Sequence, residues 1–346
     1  MRMSVSITST VVAKDDQFES IVGAALAQRG RAVRIAREVI AAGLKNVYLV
    51  GCGGSLNDFG SIHYVLESRS ARFPVFHMNS DEFVVRRPAH LGAGSLVLVA
   101  SHNGTTKETL EAARVAREAG ARVVAFTKDE TTPLAPLGDD VFVYESDRTI
   151  LAPKQVLISQ LGYALLQETG IPGDYEGINR AFDALPQALA VAHDEADEFF
   201  PAIADALAGS EHRYVLAGGP NYAVGYGMAM CYFLEMQRLG ATAFHANEFF
   251  HGAFEIVDRD TPILVWRGED ASSPQVDRLE TFLGKYNANT HVIDSRRFAL
   301  EGVPAELRGE VTPLLLSTLS KRLAEHLEAT TGNPLTRRRY MFTVEY

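Results

Sequence analysis

A short polar stretch at residues 101–106 carries the residue types best suited to binding an anion. It reads Ser-His-Asn-Gly-Thr-Thr and follows the unbroken apolar run Leu96–Ala100, which is typical of a strand buried on both faces. A helical pattern begins at Lys107, so hydroxyls and backbone N–H groups would face the start of a helix. Such donors suit a dianionic phosphate, and the scarcity of cations favours a small sugar phosphate over a nucleoside triphosphate. The candidate phosphate ligands are Ser101, His102, Asn103 and Thr106.

A glycine-rich turn at residues 51–55, Gly-Cys-Gly-Gly-Ser, follows another apolar strand pattern. Glycine lets a backbone approach a ligand closely, which makes Gly53 and Ser55 candidate ligand contacts. A dinucleotide-binding turn needs another glycine at the sixth position, and Leu56 stands there instead, so that class is excluded. A tight turn without a ligand is the alternative. The turn and the polar stretch both follow strands of one predicted sheet, at the edge where ligands bind.

Glu235 is the candidate general base, because it lies in the largely apolar helical segment 228–239. Apolar surroundings disfavour the charged carboxylate and raise its pKa toward values that are useful in proton transfer. The alternative is a glutamate on the solvated face of an amphipathic helix. The sequence pattern around Glu235 leaves both interpretations open.

Acid and imidazole groups crowd the next segment, where His245, Glu248, His251 and Glu255 fall within eleven residues. A metal site is one interpretation of such a cluster. Only His251 and Glu255 have the spacing that places two ligands on one helical face, and Gly252 interrupts the helix between them. We therefore expect no metal here.

Lys154 follows Leu-Ala-Pro at the predicted start of another helix. A helix N-terminus is an unfavourable place for a cation, so the side chain either reaches solvent or meets an anion. Solvent is the default expectation for Lys154. In the same way, His102 could be a structural hydrogen-bonding group instead of a ligand.

An internal repeat indicates how these residues are positioned. Residues 46–60 and 213–227 each combine a short apolar strand, a glycine-rich turn and a helix with a glycine at the same distance. The apolar runs 96–100 and 262–266 match as a second pair of strands, and both pairs are offset by about 167 positions. Two matches at nearly one offset indicate a duplicated α/β unit.

The predicted fold class is α/β, with two tandem domains that each contain a parallel sheet flanked by helices in three layers. The predicted domains are residues 1–170 and 178–331, joined by a Pro/Gly-rich linker at 171–177 and followed by a tail over 332–346. Strands are predicted near 46–50, 75–77, 96–100, 122–126 and 141–143 in the first half and near 213–217, 241–244, 262–266 and 290–293 in the second. Helices are predicted over 18–43, 57–69, 106–119, 152–169 and 178–208.

The overall composition narrows the function classes. The 346 residues are 47% hydrophobic and 22% charged, which is typical of a globular protein. A net charge of −10 argues against a nucleic-acid partner. Cys52 and Cys231 form no metal-binding or redox motif. With no apolar run long enough for a signal peptide or a membrane span, we expect a cytoplasmic protein without a membrane partner.

These residues, in this order, resemble the SIS (sugar isomerase) superfamily, which includes the isomerase part of glucosamine-6-phosphate synthase. The family's phosphate loop has the form Ser-x-x-Gly-x-Thr, which matches residues 101–106 here. Ser55 matches the family's other phosphate-side serine. The family's catalytic glutamate precedes a His-Gly-Pro by sixteen residues, and Glu235 precedes His251 by the same interval, with Ala253 in place of the proline.

Within the superfamily, residues 248–256 and the tail over 333–341 look most similar to the fructoselysine-6-phosphate deglycases. The Ser-Thr-Lys motif of the synthase is replaced by Ala-Pro-Lys at 152–154. We also expect no glutaminase domain before residue 1 that would serve as an ammonia source. Both departures favour a deglycase over a synthase.

The resemblance implies a substrate and a mechanism. The substrate would be a 6-phosphorylated Amadori compound, a 1-amino-1-deoxyketose whose nitrogen belongs to an amino acid. His251 would assist ring opening, and Glu235 would move the C1 proton to C2, giving an imine that water hydrolyses to glucose 6-phosphate and free amino acid. Other implied substrate contacts are Gly53, Lys154, Glu255 and Arg339. No cofactor or metal is implied.

Two other functions remain open at this stage. An isomerase or deaminase acting on an amino-sugar phosphate would use the same proton transfer, and a sugar-phosphate sensor would use only the binding loop. The resemblance leaves open which amino acid is attached and whether the sugar is fructosyl or glucosyl. A homodimer or a higher homo-oligomer is expected, because a neighbouring subunit commonly completes such sites.

Overall fold

Two parallel β-sheets form the framework of this protein, and the predicted α/β fold class is confirmed. The structure is a computed structural model and describes residues 11–341 and 343–345. The first sheet has the order β2-β1-β3-β4-β5 and the second the order β7-β6-β8-β9. The strands are β1 (Asn46–Gly51), β2 (Val75–Asn79), β3 (Ser95–Ala100), β4 (Arg122–Thr127), β5 (Asp140–Val143), β6 (His212–Ala217), β7 (Gly240–His245), β8 (Ile263–Arg267) and β9 (Thr290–Asp294).

The two sheets repeat one topology, as the internal repeat predicts. In each sheet the first strand lies between the second and the third, and every pairing is parallel. The offset of the repeat therefore makes β6 the equivalent of β1 and β8 the equivalent of β3. Both β1 and β3 are buried along their whole length, which explains their unbroken apolar runs.

Helices surround both sheets. They are α1 (Phe18–Leu26), α2 (Arg29–Ala41), α3 (Gly53–Asn57), α4 (Gly60–Arg69), α5 (Ser80–Arg86), α6 (Lys107–Glu118), α7 (Leu151–Glu168), α8 (Tyr175–Asp183), α9 (Leu185–Asp197), α10 (Phe200–Ala208), α11 (Tyr222–Gly227), α12 (Ser273–Tyr286) and α13 (Arg308–Thr331). A π-helix, Met228–Gln237, precedes β7. Short 3₁₀ turns include Glu248–His251 and Ala253–Ile256.

Two of the predicted helices are divided in the structure. The pattern over 18–43 forms α1 and α2, and that over 178–208 forms α8, α9 and α10. The pattern over 57–69 corresponds to α4, and α3 lies just before it in the predicted glycine-rich turn. Pro186 and Pro201 fall in the first turns of α9 and α10, where proline lacks no helical hydrogen bond. Prolines at these positions begin new helices, and the sequence periodicity runs across the breaks.

The core of the first sheet lies between strands and helices. Tyr48 and Val50 of β1 pack with Val97 and Val99 of β3 against α5 and α6. Side chains alternate along a strand, so Val47 and Leu49, which are also fully buried, point to the opposite face of the sheet. The second sheet has its own core, in which Leu216 and Val265 pack with Leu279 of α12.

The residue contacts divide the chain into two compact units. One contains residues 15–187 and 302–307 with the first sheet, and the other contains 11–14, 188–301 and 308–345 with the second. The sequence predicts a linker over 171–177, whereas α8 belongs to the first unit, where Tyr163 packs edge-on against Phe182. The domain limits that the sequence predicts, at residues 170 and 178, remain a prediction. Residues 1–10, 342 and 346 of the predicted first domain and tail lie outside the described residues.

No helix in the described part of the chain is long and apolar enough to cross a membrane.

Candidate functional site

The two predicted ligand loops begin side by side at the carboxyl edge of the first sheet. Gly51, the last residue of β1, is the register partner of Ala100, the last residue of β3. The chain leaves β1 toward β2 on one side, while β3 pairs on the other, so a crevice opens between the two loops. The structure therefore brings the Gly53–Ser55 turn and the 101–106 loop to one place.

The 101–106 loop is held in shape by its own hydrogen bonds. Ser101 Oγ and Thr106 Oγ1 lie 3.0 Å apart, so one hydroxyl donates to the other and a single hydroxyl proton is left for a ligand. The Gly104 N–H donates to Ser101 O at 3.2 Å, and Gly104 has a φ of +63°. A Cβ at Gly104 would lie 2.6 Å from Thr132 Cβ, so only glycine fits. Asn103 is exposed at the tip of the loop.

His102 has two side-chain partners in the structure. Its Nδ1 lies 2.9 Å from the Tyr144 hydroxyl, and its Nε2 lies 3.4 Å from Asp147 Oδ1. Burial, together with the nearby charge of Lys154, lowers the pKa of His102. Burial also raises the pKa of Tyr144 to about 12, so its hydroxyl stays protonated. These contacts favour the structural interpretation of His102, with a neutral ring that leaves the loop free of added charge.

The expectation that the Lys154 side chain reaches solvent is wrong. The side chain is buried at 3% exposure, and its Nζ lies 2.5 Å from Asp58 Oδ2 and 3.4 Å from Ser55 Oγ. Gln155 Nε2 donates to the other Asp58 oxygen at 3.1 Å. A buried ammonium needs such partners, because leaving water without them costs several kcal/mol. Lys154 thus places a charge-balanced cation beside the hydroxyl of Ser55. Asp58 is a site residue that the sequence pattern did not single out.

The short helix α3 brings Ser55 to the crevice. Gly51 comes so close to α3 that a Cβ there would lie 2.9 Å from the backbone N of Leu56. Gly53 is exposed in the first turn with a φ of +53°. The glycines of this turn therefore serve close packing and a left-handed backbone, and Ser55 is left half-buried next to Lys154.

The equivalent crevice of the second sheet is filled by the protein's own side chains. Asn221 Nδ2 donates to Asp270 Oδ2 at 2.7 Å, and Ser272 Oγ donates to Asp270 Oδ1 at 2.5 Å. Glu269 next to it is bound by the guanidinium of Arg308 at 2.8 Å. This loop offers carboxylates where the 101–106 loop has hydroxyls, so it is not suited to binding an anion.

Glu235 lies in the second unit, on the π-helix Met228–Gln237 and not on an α-helix. The segment is helical as predicted, and it ends at Arg238, whose φ is +56°. Leu239 N–H donates back to Phe233 O at 2.8 Å and closes the last turn. Turns of π-helix are rare and are frequently found at functional sites.

The surroundings of Glu235 perturb its carboxyl. The side chain is 25% exposed, and burial raises the pKa of Glu235 above its usual range, while the Arg338 guanidinium, 3.0 Å away, opposes that rise. This placement favours the general-base interpretation over a glutamate on a solvated face. Glu235 lines a cavity of about 510 Å³, together with Leu234, Arg238, Leu239, Gly240, Arg338, Arg339, Tyr340 and Met341.

The C-terminal segment is docked on the π-helix by Asn333. The Asn333 side-chain amide donates to Met236 O at 2.9 Å and to Gln237 O at 3.2 Å. In return, Arg238 Nη2 donates to Asn333 Oδ1 at 2.8 Å, and Gln237 Nε2 donates to Asn333 O at 2.8 Å. The carbonyls at the end of a helix lack hydrogen-bond donors within the helix, and the side-chain amide of Asn333 supplies donors to two of them.

The sequence analysis named Arg339 in this segment. The structure places Arg339 on the cavity wall but sets Arg338 against the catalytic candidate. The run of three arginines marks the segment as a candidate contact, but a run of like residues does not reveal which member points inward.

His251 and Glu255 lie on two successive 3₁₀ turns and are both exposed. Gly252, with a φ of +149°, separates the turns, so the helical spacing that a metal site would need is absent here. Phe249 is buried beneath the first turn and packs edge-on against Phe282 of α12. Within the described residues, no hydrogen bond or ion pair joins His251 to Glu235.

Residues 11–341 and 343–345 contain no group of three or more His, Cys, Asp or Glu side chains that could hold a metal ion.

Known proteins resemble this chain over most of its length. A family model described as SIS domain matches residues 42–164. Fructosamine deglycase FrlB from Bacillus subtilis (strain 168) is 32% identical over 88% of this chain and 93% of that protein. Fructoselysine 6-phosphate deglycase from Escherichia coli O157:H7 is 25% identical over 90% of each. A crystal structure from Bacillus subtilis, provisionally assigned as a phosphosugar isomerase, has a TM-score of 0.86 and 32% identity, covering 94% of this chain and all of that one.

Proposed function

Because this chain belongs to the SIS-domain family, in the group that contains the Bacillus fructosamine deglycase, we propose that it is a sugar-phosphate deglycase. Its substrate is a 6-phosphorylated fructosyl amino acid, and its products are glucose 6-phosphate and the free amino acid. The observation that carries the reaction is the half-buried carboxyl of Glu235, set on a π-helix against a cavity.

The hydroxyls of Ser55, Ser101 and Thr106 and the backbone of the 101–106 loop hold the phosphate. Asn103 adds a side-chain amide at the exposed tip of this loop. The donors are neutral and preorganised, and Lys154 adds a cation behind Ser55 whose charge Asp58 balances. A dianion bound this way is gripped in the ground state and in the transition state alike, so the loop contributes to binding more than to the chemical step.

Glu235 carries the proton transfer. Its carboxylate takes a proton from C1 of the open-chain ketose amine, and the electron pair of that C–H bond forms a C1–C2 double bond while the C2 carbonyl oxygen takes a proton from water and becomes a hydroxyl. Return of the C1 proton to C2 moves the double bond to C1 and nitrogen, and the nitrogen gives its own proton back to water, leaving an aldose imine. Water adds to the imine carbon, and the C–N bond breaks to release the amino acid. A carboxyl whose pKa burial has raised is a stronger base than an ordinary glutamate.

His251 assists ring opening, which must precede the proton transfer. The imidazole is exposed, and its two ring nitrogens can donate a proton to the ring oxygen and accept one from the C2 hydroxyl. Glu255, on the following turn, is a further contact for the sugar or for the leaving amine.

A product assay tests the proposed function. The purified protein is incubated with 6-phosphofructosyl amino acids, and free amino acid and glucose 6-phosphate are measured separately. Equal amounts of both support a deglycase, whereas ammonia with fructose 6-phosphate would indicate a deaminase. Glu235→Gln should abolish turnover while a phosphate ester still binds, and Glu198→Gln, an exposed glutamate of the same unit, should stay active.

We also propose a homodimer or a higher homo-oligomer in the cytoplasm. Cys52 and Cys231 are not joined in a disulfide, which suits a reducing compartment. Light scattering on the purified protein measures the number of subunits, and a molar mass equal to one chain would contradict this part.

A further inference from the structure

The guanidinium of Arg338 does not use all of its hydrogen-bond donors within the described residues. Its Nη1 donates to Leu335 O at 2.6 Å, and its Nη2 contacts Glu235 Oε1 at 3.0 Å. Its Nε is buried and has no hydrogen-bond partner among the described residues. Nε and Nη2 form one edge of the planar guanidinium, the edge that binds a carboxylate with two parallel hydrogen bonds. Glu235 occupies only half of that edge.

The cavity around this pair carries an excess of positive charge. Its lining includes Arg238, Arg338 and Arg339, and the single acidic member is Glu235. The chain as a whole has a net charge of −10, so this local excess runs against the average of the molecule. An anionic group of the ligand suits such a cavity.

The proposed substrate has an anion at the required place. Glu235 must reach the proton on C1, and C1 bears the amino acid's nitrogen. When the α-nitrogen is the one attached, the carboxylate carbon lies within about 4 Å of C1 by ordinary bond lengths. A guanidinium that touches Glu235 is therefore close enough to bind that carboxylate.

We propose that Arg338 is the specificity-determining residue that binds the α-carboxylate of the amino acid and, in doing so, releases Glu235 to act as the base. This inference rests on the proposed deglycase function. The substrate carboxylate takes the Nε and Nη2 edge, which satisfies both donors. Glu235 then loses its ion pair at the moment when the substrate brings the C1 proton next to it, so the base becomes stronger only in the complex with the correct substrate.

If the substrate carboxylate replaces Glu235 on Arg338, the protein should prefer amino acids that are attached through the α-nitrogen. An amino acid attached through a side-chain nitrogen, such as the ε-nitrogen of lysine, carries its carboxylate at the far end of an alkyl chain. That carboxylate cannot reach Arg338 while C1 faces Glu235, so the ion pair stays closed. A substrate whose carboxylate has been converted to an amide leaves the pair closed as well.

Steady-state kinetics with matched substrates test this. The substrates are 6-phosphofructosyl alanine linked through its α-nitrogen, the corresponding alaninamide and 6-phosphofructosyl lysine linked through its ε-nitrogen. We expect kcat/KM for the alanine substrate to exceed the other two by about 10- to 100-fold, the range for hydrogen bonds to a charged group. Arg338→Gln should remove this preference, Arg338→Lys should restore part of it, and Arg337→Gln, an exposed neighbour, should keep it.

The outcomes separate this inference from the proposed function. If the wild-type protein releases amino acid from none of these substrates, the deglycase proposal itself fails. If it turns over the alanine and alaninamide substrates equally well, the deglycase function stands and the role of Arg338 is wrong. If Arg338→Gln lowers kcat/KM for all three substrates by the same factor, Arg338 only supports the structure, and the inference is again overturned.

Discussion

The ammonium of Lys154 and the carboxylate of Asp58 lie 2.5 Å apart, both buried, directly behind the hydroxyl of Ser55. A lysine next to a phosphate site would ordinarily be assigned to the ligand. Here its charge is already balanced by a carboxylate, so the pair supports the loop whether or not a ligand is bound. The ion pair therefore contributes to the stability of the crevice whether or not the proposed phosphate is bound.

Breaking this pair should destabilise the protein strongly. Lys154→Met leaves the Asp58 carboxylate buried without a cation, and we expect the free energy of unfolding to fall by about 3–5 kcal/mol. Urea denaturation measures this. The double variant Lys154→Met with Asp58→Leu should recover most of the loss, and Lys45→Met, an exposed lysine of the same unit, should change little. A single variant as stable as the wild type would contradict the structural role.

Loss of the Ser101 hydroxyl should affect binding more than turnover. Ser101→Ala removes one donor to the phosphate and the partner of Thr106, so KM should rise about tenfold or more with kcat largely retained. Inorganic phosphate should inhibit the variant more weakly than the wild type. An unchanged KM with a collapsed kcat would show that Ser101 acts in the chemical step instead.

Gly104→Ala should damage the loop itself. A Cβ would meet Thr132 at 2.6 Å, and the φ of +63° disfavours any other residue, so we expect a loss of about 1–3 kcal/mol in unfolding free energy and a raised KM. Gly30→Ala is the matched control, because no atom lies within 4 Å of its added Cβ and its φ is not positive. If Gly104→Ala behaves like Gly30→Ala, the described loop conformation is not required for function.

The pH dependence of kcat/KM should report the two opposing effects on the pKa of Glu235, which are burial and the charge of Arg338. The base must be ionised, so activity rises with pH through its pKa in the free protein. Burial raises that pKa and Arg338 opposes the rise, so Arg338→Gln should move the acidic limb of the profile to higher pH. The alaninamide substrate is the appropriate probe, since it does not engage Arg338. A limb that stays in place, or moves to lower pH, would show that Arg338 does not act on Glu235.

The strands were predictable because each is a short apolar run whose burial is visible in its own residues. All nine strands lie within about one or two residues of their predicted positions. Helix limits were less predictable, since apolar periodicity continues through Ala27 and Gln28, where the chain turns between α1 and α2. Helices α3, α5, α12 and α13 were not predicted.

In the candidate site too, some features were predictable from the sequence and others were not. The amino-acid sequence by itself determined the hydroxyl loop at 101–106, since its strand, glycine and helix start are neighbours along the chain, and it pointed to Glu235 through the apolar residues around it. Only the tertiary structure decided that Lys154 pairs with Asp58 and that Arg338, not Arg339, meets Glu235. Those partners lie far apart in sequence, and an ion pair between distant residues leaves no periodic or local pattern that a linear reading can detect.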